Sequence, residues 1–72
     1  MYPKLKQYRI TANLSQPELA RKAGLSKQYY CQLESGKRGD RWSLENARNI
    51  AFALADELKR SRNKVFADIF LS

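Results

Sequence analysis

Seventy-two residues suffice for one small domain, 1–72, and leave little room for an ordinary enzyme. Hydrophobic residues make up 43% and charged residues 29%, a globular profile. Fourteen Lys and Arg against seven Asp and Glu leave a net charge of +7, which calls for a polyanionic partner, either nucleic acid or an acidic membrane surface.

With no His and a single Cys31, the chain offers no imidazole base, no internal disulfide and no Cys/His zinc site. No cofactor, metal or small-molecule ligand is therefore expected. No apolar run reaches signal-peptide or membrane-span length, so a soluble, cytoplasmic protein with no membrane partner is expected.

Apolar positions recur at helical spacing throughout, which predicts an all-α fold, a compact bundle of five short helices. The first runs from about Lys4 to Thr11, with Leu5 and Tyr8 inward. The second opens at Ser15, where Ser15-Gln16-Pro17-Glu18 reads as a capping box with Pro in the first turn. Leu19, Ala20 and Ala23 share its inner third. Gly24 ends it in the left-handed conformation, and Ser26 caps the third helix. Only Gly24-Leu25-Ser26 separates the two, which is the geometry of a helix-turn-helix pair; a plain helical hairpin has the same spacing.

On a helical wheel with Lys27 at zero, Tyr29, Tyr30 and Leu33 fall on the inner side. Lys27, Gln28, Cys31, Gln32 and Ser35 fall on the outer side, which carries no acid. Gln28 and Gln32, one turn apart, can each pair bidentately with adenine N6 and N7, and Lys27 suits the acceptors of guanine. The Cys31 thiol can touch a thymine methyl; regulation by its oxidation is a remoter alternative. Such a face fits the major groove, and the alternative is an exposed Gln-rich surface.

Residues 5–54 resemble the Cro/repressor, or Xre-type, helix-turn-helix family, whose fold is the lambda-repressor-like DNA-binding domain. The resemblance rests on Leu14-Ser15-Gln16-Pro17-Glu18-Leu19-Ala20, Gly24-Leu25-Ser26, Tyr30-Cys31-Gln32-Leu33-Glu34-Ser35-Gly36-Lys37-Arg38, Ser43-Leu44-Glu45 and Ile50-Ala51-Phe52-Ala53-Leu54. It implies that the third helix is the recognition helix, with Lys27, Gln28 and Gln32 at base edges, beside which Cys31 is a further candidate base contact through its thiol. Gln16 would contact phosphate and buttress Gln28, helped by backbone amides at the start of the second helix. Lys37 and Arg38 would hold the opposite backbone, with Arg41 and Tyr29 as further phosphate contacts.

The segment Gly39-Asp40-Arg41-Trp42 is about two residues longer than the family pattern and lacks the common Pro before Ser43. Arg41 can alternatively pair with Asp40, and Trp42 is expected to plug the core beneath the loop. Residues 1–41 hold nine cations and three anions, and residues 42–72 hold five and four, so the basic half carries the motif.

The fourth helix, opening at Ser43, is expected to bury Leu44, Ala47, Ile50, Ala51, Leu54 and Leu58, with Phe52 almost opposite. A fifth helix starts near Asn63, with Val65, Phe66, Ile69 and Phe70 inward. Phe52, Phe70 and Leu71 are candidates for a weak homodimer contact.

The expected function is sequence-specific binding of double-stranded DNA at a palindromic operator, as a transcriptional repressor acting by occlusion. Its rivals are an antitoxin-type or restriction-controller regulator with a protein partner, and a protein-interaction module that has lost base readout. A bacterial, phage or mobile-element source and association with the nucleoid follow from the resemblance alone.

Overall fold

Serine caps and left-handed residues divide the chain into its helices. The computed structural model describes residues 2–37 and 43–71. Its helices are α1 (Pro3–Thr11), α2 (Gln16–Lys22), α3 (Lys27–Ser35), α4 (Leu44–Leu58) and α5 (Arg62–Phe66), the last continuing into a π-helical turn at Ala67–Leu71. No strand occurs among the described residues, in line with an all-α helix-turn-helix fold.

Ser15, Ser26 and Ser43 each accept the amide three residues on, from Glu18, Tyr29 and Asn46. At Ser15 the Glu18 carboxylate answers by accepting the Ser15 amide at 2.9 Å, completing the capping box. Helix ends follow one pattern four times. A residue with positive φ, at Asn13, Gly24, Gly36 and Lys59, lets its own amide and the next one bond back into the last turn. At Gly24 these are Gly24 N–H to the Arg21 carbonyl at 3.1 Å and Leu25 N–H to the Ala20 carbonyl at 2.8 Å.

α2 packs on α3 and α4, α4 on α5, and the closing turn on α1. Leu5, Leu19, Ala20, Tyr30, Ile50, Ala51, Leu54, Ala55, Val65 and Ile69 fill the core between them. Leu14 and Leu25, each just before a serine cap, pack against this cluster and fix the angle at which α2 and α3 begin.

On the expected α4 stripe Leu58 is only partly buried, packed against the core, and two further burial expectations need correction. Leu44 is 65% exposed, although its azimuth matches buried Ala51 and Ala55. It is the first residue of α4, and the buried stripe begins only at Ala47. Phe52 is half-buried rather than turned away: it packs against the core, with the Arg48 and Arg62 guanidinium carbons 5.7 and 5.2 Å from its ring centroid. The expected position of Trp42 lies outside the described residues.

Candidate nucleic-acid interface

α3 lies across α2 and turns one face out. Tyr30 and Leu33 are buried, whereas Lys27, Gln28 and Ser35 are exposed and Cys31 and Gln32 partly so. The inside-outside division expected from the wheel is thus present in the fold. Gln16, Lys27, Gln28, Cys31, Gln32, Ser35 and Lys37 line one open groove. Gly36, with φ +82°, ends the helix so that Lys37 follows at the groove's edge, its amide bonded to the Gln32 carbonyl at 3.0 Å. Lys27 and Lys37 are exposed and form no ion pair among the described residues.

The other expected contacts are distributed differently. Gln16 lines the groove but does not brace Gln28; its amide bonds Glu34 and Cys31 instead. Tyr29 is half-buried between α3 and α4, its hydroxyl accepting from Asn46 Nδ2 at 3.0 Å. The start of α2 offers fewer backbone donors than expected. Its capping box consumes the Ser15 and Glu18 amides and Pro17 has none, which leaves that of Gln16. Arg38 and Arg41 lie outside the described residues. Of the dimer candidates, Phe70 meets Tyr2 edge-on at 4.9 Å and Phe66 at 5.4 Å, while Leu71 is 72% exposed.

Residue-type reasoning missed Arg9 and Glu34. The Arg9 guanidinium donates to both Glu34 carboxylate oxygens, at 3.0 and 3.1 Å, and to the Leu14 carbonyl at 3.0 Å. Both side chains are largely buried, at 12% and 7% exposed. Burial alone would raise the Glu34 carboxyl, but Arg9 foremost, with Tyr30 and Gln16 beside it, together outweigh it and hold it below the usual carboxylate range. Burial, followed by the neighbouring Glu34, pushes the Tyr30 phenol well above its ordinary value. The acid on α3 is thereby neutralised at the seam with α1 and sits outside the groove lining. The available signal was its wheel position at about 340°, between buried Tyr30 and outward Lys27, where a carboxylate requires a cation from a neighbouring helix.

Among the described residues, no helix is long and apolar enough to cross a membrane. Residues 4–49 match the model of a helix-turn-helix domain family. No curated protein and no solved structure matches the chain. The matched span runs from α1 through the capped α2–Gly24–α3 unit into α4, and on that ground the chain belongs to the helix-turn-helix domain family, consistent with the Cro/repressor type of DNA-binding regulator.

Proposed function

We propose that this protein binds specific double-stranded DNA sequences and represses transcription by occupying an operator and occluding polymerase. The observation that carries the reading is the groove on α3: seven lining residues, two of them cations and three of them primary amides, with no acid among them. Lys27, Gln28 and Gln32 read base edges in the major groove. Gln16 and Lys37 hold phosphates, with Tyr29, Arg38 and Arg41 as further backbone contacts.

The longest extent of the molecule, 28 Å, is less than the roughly 34 Å between half-sites on one face of a duplex. One copy therefore reads one half-site, and a palindrome takes two. Leu71, exposed at the chain's last described position, supports a weak homodimer contact, to which the rings of Phe52 and Phe70 add what they leave uncovered.

Selection from a random duplex library with the purified protein tests the reading. An enriched palindrome is the expected result. Absence of any enriched sequence contradicts base readout and favours a module that binds another protein.

A further inference from the structure

Gln16 stands at the first position of α2, and both ends of its amide are engaged. Nε2 donates to Glu34 Oε1 at 3.3 Å, and Oε1 accepts from Cys31 Sγ at 3.0 Å. Chemistry fixes this polarity. An ionised carboxylate can only accept, so the nitrogen faces Glu34, and the thiol then supplies the proton for the carbonyl. Glu34 is held in turn by Arg9, which also ties down the Leu14 carbonyl just before the α2 cap. Arg9, Glu34, Gln16 and Cys31 thus form one hydrogen-bonded chain that begins on α1, joins α2 to α3 and ends inside the groove.

Resting on the DNA-binding reading above, we propose that Cys31 is a positioning residue: its thiol fixes the Gln16 amide as a phosphate donor and does not itself read a base. One Gln16 Nε2 proton is spent on Glu34, and the amide has a second to give. The Glu34 contact, at 3.3 Å, sets which way the amide faces but holds only its nitrogen end; a side chain held at one end can still swing away from the groove. With its hydrogen donated to Gln16, the thiol holds the oxygen end as well and keeps the amide in place with its second proton free to give. Arg9 acts at the far end of the chain by keeping Glu34 ionised and in place.

Three variants separate positioning from base contact: Cys31→Ser keeps a donor, Cys31→Ala removes it, and Cys31→Val fills similar volume without one. In the free protein, the Gln16 side-chain amide resonances should move in Cys31→Ala and Cys31→Val but stay near the wild-type positions in Cys31→Ser. On the selected duplex, Cys31→Ala and Cys31→Val should bind about 2- to 10-fold more weakly, the worth of one hydrogen bond, with Cys31→Ser close to wild type. That loss should be the same whichever base pair of the site is substituted, and melting temperatures report any loss of folding separately. Amide resonances indifferent to Cys31→Ala overturn the relay. A loss confined to one base pair, or Cys31→Ser binding as weakly as Cys31→Ala, overturns positioning in favour of a base contact by the thiol. Should selection yield no duplex, the DNA reading fails while the amide resonances still decide the relay.

Discussion

Residues with positive φ set the length of four of the five helices, and they differ in how well they suit that role. Gly24 and Gly36 adopt it without strain, Asn13 with little, and Lys59, at φ +56°, against the clash that a Cβ makes with the backbone carbonyl there. A Cβ at Gly24 would meet nothing within 4 Å, so Gly24→Ala isolates the backbone term. It should cost about 1–2 kcal/mol and lower the melting temperature by several degrees. An unchanged melting temperature would contradict a strained φ at this turn. Lys59→Gly should act oppositely, adding about 0.5–1 kcal/mol in urea unfolding once the greater freedom of Gly in the unfolded chain is allowed for. The two glycine stops and the three serine caps were legible in the sequence because those residue types are selected by the geometry itself. Lys59 was not, since nothing about a lysine announces a left-handed backbone.

Helices communicate through a few charged contacts of unequal weight. Lys22 pairs with Glu57 at 3.5 Å and Lys4 with Asp68 at 2.7 Å, but all four side chains are more than a third exposed, and such pairs contribute little. The Arg9–Glu34 pair is bidentate and mostly buried, so removing one partner strands the other. Glu34→Gln should therefore cost about 2–3 kcal/mol in urea unfolding at neutral pH, whereas Lys22→Ala stays below about 1.

The pH dependence follows from the direction of the shift. Because the Glu34 carboxyl is held lower in the folded chain, its stabilisation is complete above the ordinary carboxylate range. It disappears as pH falls through the depressed folded value. Stability measured from pH 6 down to pH 2 should thus fall steeply in the acid range for the wild-type chain, and less for Glu34→Gln. Parallel curves would place Glu34 outside the buried pair. This link was hidden from the sequence because the wheel of α3 sorts residues by its own axis alone, and the partner that neutralises Glu34 comes from α1.

Across the whole molecule, the excess of positive charge is concentrated by pairing as well as by count. Glu34, Asp56, Glu57 and Asp68 are each occupied by a cation, and Glu18 by its own cap, so among the described residues the groove on α3 retains Lys27 and Lys37 outside any ion pair. If Lys37 neutralises one phosphate, Lys37→Ala should weaken binding to every duplex alike and reduce the slope of log K against log salt by about one. An unchanged slope would place Lys37 away from the DNA backbone. The helical architecture and the outward set Lys27, Gln28, Cys31 and Gln32 could be read in advance because both depend on periodicity within one helix. The setting of Gln16 and the cover over Phe52 could not, because each depends on side chains that another helix brings alongside.

Base reading by Gln28 is tested most directly by titrating wild-type and Gln28→Ala protein against the selected duplex and its single-base-pair variants. The substitution should cost about 1–3 kcal/mol on the selected duplex and remove discrimination at one base pair while preserving it elsewhere. Equal weakening on every duplex, or no weakening at all, would contradict a base-reading role for the outward face of α3.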